Sequence, residues 1–398
     1  MTKNLSGFGS IVTVLLIVFF EMLAFGIVIP FTPFWAERYG ASPLEVTLLF
    51  STYSFFAFLS SFPWGIISDK WGRRPILCLG ALGTVLSFFW VSQAESLWML
   101  FAARALGGLT GGTIPVAQAF IADTASPEQR AGRMGMLGAA IGAGFVVGPG
   151  VGWLLSRSGT GESDFRMAFL LAACMAGCAF VLALFFLKEP LSRISRAQES
   201  KIKPRLLEFY SACATPRVIY SLIILTLIAI CMAGLESTFA MWTERQINWG
   251  VKEVSIFFLY VGVIMVLVQG GLVRFLSRRF GEPLLVAAGV LIMAVGFASV
   301  LVVFTNFMAF VGGAFIAVGY GLAHPALTAF ISTNTPEQHQ GAAMGVSQSL
   351  QSICRIIGPL LAGSAFTFSG RDVPYVCGAL LLVIAFVLAV RGLTCVRR

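Results

Sequence analysis

The strongest constraint on this chain is a succession of apolar runs, each long enough to cross a lipid bilayer. A membrane-spanning helix needs about 20 mostly apolar residues. Of the 398 residues, 58% are hydrophobic and only 11% are charged, whereas a soluble domain carries about 25% charged residues. The sequence therefore predicts an all-α membrane protein of twelve transmembrane helices. The runs lie at about 10–32, 45–68, 75–93, 97–122, 131–155, 167–187, 217–241, 253–275, 283–304, 307–331, 342–367 and 373–392.

The basic residues between the runs predict the orientation of the chain. Cytoplasmic loops of membrane proteins are enriched in Lys and Arg. With both termini in the cytoplasm, 19 of the 27 basic residues fall in cytoplasmic segments and six in outer loops. This asymmetry also accounts for the net charge of +9, so we expect membrane lipids, and no nucleic acid, as partners. The predicted location is the cell membrane (inner or plasma membrane), crossed many times.

The chain also repeats itself at an offset of about 210 residues, and one long polar stretch, 188–216, separates its sixth and seventh runs. We therefore predict two pseudo-symmetric six-helix bundles, 1–187 and 217–398, joined by a cytoplasmic linker. Parallel repeats of this kind are typical of one large class of transporters. The matches in register are Pro115 with Pro325, AFIA at 119–122 with AFIS at 329–332, and Gly148-Pro149 with Gly358-Pro359.

The loop between the second and third runs carries a motif, GIISDKWGRRPIL at 65–77. We expect Gly65 to allow close approach of a neighbouring helix and Asp69 to accept hydrogen bonds from a helix N-terminus. Arginines of such a loop can pair with carboxylates, and Asp123 is the expected partner of Arg73. A plain basic turn would not need this whole string. Its members are Gly65, Asp69, Gly72, Arg73 and Arg74, with Asp123 at the end of the fourth run.

The fifth run is rich in glycine and reads GAAIGAGFVVGPGVGW, residues 138–153. Glycines on a membrane helix form a groove that lets another backbone approach. Pro149 frees a backbone carbonyl and bends the helix. Ordinary close packing explains part of this pattern. The positions concerned are Gly138, Gly142, Gly144, Gly148, Pro149 and Gly152.

These motifs resemble those of the major facilitator superfamily. In that family the loop motif latches the cytoplasmic ends of the two halves and helps to switch between outward and inward states. The fifth-run string is similar to the signature of the drug:proton antiporters with twelve spans, where it forms a bending, leak-sealing contact. The first run, with Glu21 nine residues before Pro30, and RALGGLTGG at 104–112 are similar to tetracycline:proton exporters. The resemblance implies alternating access and a monomer.

Two positions depart from the tetracycline exporters. Those proteins carry a histidine in span eight and an acid in span nine that take part in coupling. Here the span-eight residue is Met265, and span nine has no ionisable side chain except Glu282 just before it. The departures leave open whether tetracycline is the substrate and whether the coupling route is the same.

Four charged side chains fall inside the predicted spans: Glu21, Arg104, Glu236 and Arg355. Such residues are costly in a membrane and are functional candidates by default. Glu21 lies near the middle of span one, where burial favours the neutral form, so we predict that it carries the proton. Arg104 can modulate Glu21 or hold an anionic group, and Glu236 can attract a cation or carry a second proton. Arg355 can pair with Glu236 or with backbone carbonyls. Structural ion pairing between helices is the alternative for all four.

Several uncharged polar residues also interrupt the runs. Glutamines on apolar spans either line a cavity or bridge helices. His324 is predicted to pack between helices, because its counterpart in the first half is Ile114. The glutamines are Gln118, Gln269, Gln348 and Gln351.

Together these features predict a secondary active transporter that exports an amphipathic or cationic, drug-like small molecule in exchange for protons. No P-loop is present, so the proton gradient is the expected energy source and no cofactor is expected. The eight cysteines lack metal-ligand spacing and are interpreted as buried small hydrophobes, and no catalytic set indicates an enzyme. The alternatives are export of a siderophore, sugar or lysolipid, uptake by proton symport, and a non-transporting sensor.

Overall fold

The computed structural model describes residues 2–156, 162–189, 215–336 and 339–394, and the regular structure in these ranges is helical. The tenth helix continues through a π-helical turn, Val268–Leu272, into the eleventh. The helices are α1 (Thr2–Val28), α2 (Phe31–Arg38), α3 (Pro43–Trp71), α4 (Arg73–Ser92), α5 (Leu97–Thr110), α6 (Thr113–Thr124), α7 (Pro127–Leu155), α8 (Glu162–Phe185), α9 (Pro216–Ile247), α10 (Val251–Leu267), α11 (Val273–Phe280), α12 (Glu282–Ser299), α13 (Asn306–Thr333), α14 (Gln340–Phe368) and α15 (Val373–Leu388).

Eleven helical segments of the described residues are long and apolar enough to cross a membrane. They confirm an all-helical membrane protein and match eleven of the twelve predicted runs. The remaining run corresponds to α14, which is 29 residues long and would measure about 43 Å at 1.5 Å per residue. The length of α14 therefore does not distinguish it from the eleven helical segments that can cross a membrane. It carries Gln348, Gln351 and Arg355, which make it more polar.

The described residues form two compact units. The first contains α1, α2, α3 from Thr52 onward, α4 to α8, and α10 as far as Leu259. Within it, α1 packs on α7 and α8, and α4 packs on α5, α6 and α8. Its core includes Val14, Ile17, Leu77, Phe120 and Leu137, all at most 2% exposed.

The second unit contains the start of α3 as far as Ser51, α9, α10 from Tyr260 onward, and α11 to α15. Here α9 packs on α14, and α12 packs on α13 and α15. These pairs are the counterparts, at the repeat offset, of α1 with α7 and of α4 with its neighbours. The predicted bundle boundaries stay a prediction, and the predicted linker falls largely on residues 190–214, which lie outside the described residues.

Small residues bring the first helix of each unit close to its partner. In the first unit, a Cβ on Gly148 of α7 would lie 2.6 Å from the Cα of Gly26 in α1. In the second unit, a Cβ on Gly358 of α14 would lie 2.9 Å from that of Ala233 in α9. Within the fifth-run motif, Gly144 and Gly148 therefore face α1, and Gly152 lies nearest the Phe31 ring of α2. No atom of the described residues lies within 4 Å of a Cβ placed on Gly138 or Gly142.

The cysteines are less buried than the sequence suggests. Of the six that the structure describes, Cys231 and Cys354 are buried, and Cys78 is half-buried. Cys174, Cys178 and Cys377 are exposed, so the expectation that all cysteines are buried is wrong for these three. An apolar residue gains from lipid contact as well as from a protein core, so apolarity alone does not predict burial in a membrane protein.

We expect Gly148→Ala to destabilise the protein by about 1–3 kcal/mol, because the added methyl group meets the α1 backbone and forces it to move. Gly142→Ala is the matched control on the same helix, and no atom lies within 4 Å of its added methyl group. The measurement is thermal unfolding of both purified variants in detergent. Equal melting temperatures for the two variants would contradict the close α1–α7 packing.

Candidate functional site

The fourth predicted run is broken in its middle, and the break forms one wall of a buried site. The helix α5 ends at Thr110 and α6 begins at Thr113, so Gly111 and Gly112 separate them. The break needs glycine, because a Cβ on Gly111 would lie 2.8 Å from the Tyr53 hydroxyl and one on Gly112 would lie 2.9 Å from the Trp64 ring. Discontinuous helices of this kind often border the binding sites of transporters.

Glu21 of α1 lies against the start of α6. Its side chain is 5% exposed. The Thr113 hydroxyl donates a hydrogen bond to Glu21 Oε2 at 2.8 Å, and Gly80 of α4 leaves the space that the Thr113 methyl group occupies. Within the part of the chain that the structure describes, Glu21 Oε1 is buried without a hydrogen-bond partner. A buried carboxylate with one unsatisfied oxygen is costly when it is ionised.

Arg104 of α5 lies in the same site and is 4% exposed. Its guanidinium carbon is 4.8 Å from the centre of the Tyr53 ring and 5.7 Å from that of Phe25. The two rings are themselves in contact, with centroids 5.2 Å apart. An aromatic face attracts a cation, so the rings stabilise a buried positive charge near Glu21.

Glu21, Arg104, Tyr53 and Thr113 line one cavity of about 20 Å³. This space holds about one water molecule. A drug-sized ligand needs about 300–1,000 Å³, so the cavity suits a proton and a water and not a substrate. The structure thus brings Glu21 and Arg104 together in one site, as the sequence hypothesis that Arg104 acts on Glu21 requires.

The loop motif forms a charged network at the junction of α3 and α4. Arg73 Nε lies 3.0 Å from Asp123 Oδ2, the pairing that the sequence predicts. Arg73 Nη1 lies 2.6 Å from Asp69 Oδ1 and also bonds the Ser68 hydroxyl. Gly72 joins the helices with φ of 114°, a backbone conformation that strongly favours glycine. The network ties α3, α4 and α6 together.

Glu189 also belongs to this loop site, although no motif of the sequence indicated it. The Glu189 carboxylate accepts the backbone N–H groups of Arg73 and Arg74, both at 3.0 Å. It therefore takes the place at the α4 N-terminus that we expected Asp69 to fill. No atom of the described residues lies within 4 Å of a Cβ placed on Gly65, so Gly65 does not support a close helix contact here.

Arg74 reinforces this junction from α4. Its guanidinium donates to the carbonyl of Leu184 in α8 at 2.6 Å. The one sequence signal for Glu189 was its place as the first acid after the sixth run, at the start of the polar stretch. It lies 116 residues from Arg73, so spacing along the chain does not reveal the contact.

A second polar cluster lies in the second unit. His324 of α13 and Gln351 of α14 are in hydrogen-bond contact, Nε2 to Oε1, at 3.2 Å, in line with the prediction that His324 packs between helices. The Tyr320 ring lies against the His324 ring. Arg355 lies one helical turn beyond Gln351 on α14, and Glu236 is half-buried on α9. The structure therefore brings Tyr320, His324 and Gln351 together, with Arg355 one turn away on α14.

The remaining candidates are three exposed glutamines: Gln118 on α6, Gln269 in the π-helical turn and Gln348 on α14. Within the described ranges, Gln118 and Gln269 make no contact with the polar clusters. Among the described residues, no group of histidine, cysteine and acidic side chains can hold a metal ion.

We expect Glu189→Ala to lower the free energy of unfolding by about 1–2 kcal/mol, because two N–H groups at the α4 N-terminus lose their charged acceptor. Glu95→Ala removes an exposed acid from the α4–α5 loop and is the control. Thermal unfolding in detergent compares the two. If Glu189→Ala melts like Glu95→Ala, Glu189 does not stabilise this junction.

Comparison with characterised proteins places drug-resistance proteins among the relatives of this chain. It is 29% identical over 369 residues to the class C tetracycline resistance protein of Escherichia coli, covering 90% of this chain and 88% of that protein. It is 27% identical over 357 residues to the quinolone resistance protein NorA of Staphylococcus aureus (strain MSSA476), covering 88% of each chain.

Solved transporter structures share the fold over nearly the whole chain. The human organic anion transporter MFSD10 (TETRAN) matches with a TM-score of 0.69 and 22% identity, covering 96% of this chain and 99% of that one. The nucleoside transporter NupG, as its D323A mutant, matches with a TM-score of 0.79 and 11% identity at the same coverage. A bacterial homologue of the human lysosomal transporter Spinster matches with a TM-score of 0.78 and 15% identity, covering 98% of each chain.

The family model described as Major Facilitator Superfamily matches residues 14–359 and 272–394. This match spans most of the chain and includes the loop motif, the broken fourth run and the polar cluster of the second unit. Members of this family and the relatives named above are transporters and not enzymes. With its apolar helices, this multi-pass protein of the plasma membrane belongs to the major facilitator superfamily of transporters.

Proposed function

We propose that this chain exports an amphipathic or cationic, drug-like small molecule in exchange for protons, by alternating access. The observation that carries the proposal is Glu21, a carboxyl group buried in a cavity the size of one water molecule. The tetracycline and quinolone resistance proteins among its relatives support export of a drug-like compound. The proton gradient is the proposed energy source, without a cofactor.

Glu21 is the proposed proton carrier because its surroundings distinguish its two forms. The protonated carboxyl is compatible with a buried site, whereas the carboxylate needs more donors than Thr113 alone supplies. A transporter works only if a ligand binds its two states with different affinity. A proton that binds Glu21 in one state and leaves in the other supplies such a difference, and Arg104 favours the leaving step by its charge.

The wider machinery follows from the same proposal. We assign α14 as a twelfth span, with both termini in the cytoplasm, residues 1–187 and 217–398 as the two bundles and 188–216 as their linker. The loop residues Gly65, Asp69, Gly72, Arg73, Arg74 and Asp123 act as the conformational latch, although Gly65 lacks the close contact expected of it. Glu236, Arg355 and Gln118 belong to the coupling and substrate machinery. The protein acts as a monomer surrounded by lipid.

The first test is substrate-induced proton movement in everted membrane vesicles that hold a pH gradient, followed with a quenching dye. Wild-type vesicles should lose the gradient on addition of some members of a panel of cationic and amphipathic compounds. We expect Glu21→Gln to abolish the response, because an amide cannot carry the proton. Glu95→Gln, an exposed acid outside the spans, should respond like the wild type.

Each other result has a defined consequence. A response that survives in Glu21→Gln would keep the exchange but reject Glu21 as its carrier, and Glu236 would be tested next. No response from the wild type to any compound would reject drug export, and uptake by proton symport or a natural metabolite would then be assayed.

Thr113→Val tests how the carboxyl is positioned. The substitution keeps the shape of the side chain and removes the hydrogen bond to Glu21 Oε2. We expect the initial rate of substrate-induced proton movement to fall by up to about tenfold, because a lost hydrogen bond costs roughly 0.5–1.5 kcal/mol and about 1.4 kcal/mol corresponds to a factor of ten in rate. Thr110→Val is the matched control, since the Thr110 hydroxyl bonds the carbonyl of Leu106 in its own helix. Equal rates in both variants would contradict the role of Thr113.

A further inference from the structure

The helix α14 carries one polar face. Its other members lie three, four and seven residues after Gln348, which places them on the same side of the helix. The four are Gln348, Gln351, Ser352 and Arg355. Gln351 and Ser352 are half-buried, and Gln348 and Arg355 are exposed. Charged side chains at membrane depth almost always face a bundle interior or a water-filled cavity. This face of the second unit therefore borders water and not lipid.

Two aromatic rings of α13 lie beside this face. The rings of Tyr320 and His324 are stacked, with centroids 5.1 Å apart and planes at 24°. They are one helical turn apart on α13. Arg355 follows Gln351 by one helical turn on α14, and Gln351 contacts His324 at 3.2 Å. The aromatic pair thus lies about one helical turn from a guanidinium group.

The hydrogen bonds of Gln351 determine which nitrogen of His324 carries its proton. Gln351 Nε2 donates to the carbonyl of Ser347 at 3.4 Å, so Oε1 is the atom that meets His324 Nε2. An amide oxygen can only accept, so His324 Nε2 donates. The neutral imidazole therefore keeps its lone pair on Nδ1. Gln351 is a positioning residue that makes Nδ1 an acceptor.

From this geometry we infer that the second unit binds a planar aromatic carboxylate that also bears a hydroxyl or amino donor. Arg355 binds the carboxylate, because a guanidinium matches the two oxygens with two parallel donors. His324 Nδ1 accepts from the donor group, and the Tyr320 and His324 rings contact the flat part of the molecule. The inference rests on the proposed export function and narrows its amphipathic substrates to amphoteric or acidic aromatic compounds.

The site is distinct from the Glu21 cavity. That cavity holds about one water molecule and cannot take an aromatic ring. In the first half of the repeat, the counterparts of His324, Gln351 and Arg355 are Ile114, Ile141 and Phe145. The recognition group therefore has no equivalent there, whereas Glu21 has the apolar counterpart Cys231 in the second half.

The test measures equilibrium binding of three fluorescent probes to the purified full-length protein in detergent, without a proton gradient. The probes are 4-hydroxy-2-naphthoate, its methyl ester and 4-methoxy-2-naphthoate, in which the hydroxyl is too far from the carboxylate to bond it. The ester lacks the charge that Arg355 binds, and the methoxy compound lacks the donor that His324 accepts. We expect the wild type to bind hydroxynaphthoate at least about tenfold more tightly than either analogue.

The variants separate the two contacts. Arg355→Gln should lose the preference for the acid over the ester and keep the preference for hydroxyl over methoxy. His324→Phe keeps an aromatic ring against Tyr320. It should lose the preference for hydroxyl over methoxy and keep the preference for the acid over the ester. Arg355→Lys should retain part of the charge preference, since it keeps the charge without the fork. Thr328→Val is the control on α13, because the Thr328 hydroxyl bonds the carbonyl of His324 in its own helix, and it should keep both preferences.

The inference is overturned if the wild type binds the acid and its ester equally, or if Arg355→Gln and His324→Phe leave both preferences unchanged. These outcomes are separate from those for export. Selective binding of hydroxynaphthoate without any compound-induced proton movement would refute the proposed proton exchange but support the proposed binding site in the second unit. Proton movement driven by other compounds, with no selective naphthoate binding, would refute the proposed binding site but support the proposed proton exchange.

Discussion

Lipid hydrocarbon offers no hydrogen-bond partner, and the rest of this structure depends on that constraint. Helices satisfy their own backbone groups, and many hydroxyl side chains bond back to their own helix, as Thr13, Thr32 and Ser221 do to carbonyls four residues earlier. Such residues cost little at membrane depth and carry no chemistry. A polar group that is not satisfied in this way needs another reason to be there. The exceptions in this chain are few among the described residues, and they cluster.

The Glu21 site shows how a break in a helix prepares such an exception. In an unbroken fourth helix, the backbone N–H groups would all bond within the helix. The break at Gly111-Gly112 starts a new helix at Thr113, beside the Glu21 carboxyl group. The same glycines let α5 and α6 lie close to Tyr53 and Trp64. One local feature therefore sets the packing of α3 and the environment of Glu21 together. Arg104 lines the same cavity, so the site contains both a buried carboxyl group and a guanidinium group.

The two units use the same packing for different chemistry. Equivalent helices pair in both, and small residues bring α1 to α7 and α9 to α14. The polar groups do not follow the repeat: Glu21 and Arg104 lie in the first unit, and His324, Gln351 and Arg355 in the second. Close packing depends on residue size, which duplication preserves easily, whereas a charged site needs several specific partners at once. A duplicated scaffold can thus hold a proton site in one unit and a recognition site in the other, as we propose.

Properties that depend on short stretches of chain follow from the sequence alone. Apolar length predicted the spans, the offset predicted the repeat, and the loop motif identified Arg73 and its partner Asp123. Only the tertiary structure decided which helices are neighbours. It placed Glu189 at the α4 N-terminus from 116 residues away, Thr113 on Glu21, and Gln351 on His324. It also separated Gly144 and Gly148, which contact α1, from Gly138 and Gly142, which have no close neighbour among the described residues. Apolarity and helix propensity are properties of a segment, whereas a hydrogen bond or a close contact is a property of two segments that packing brings together.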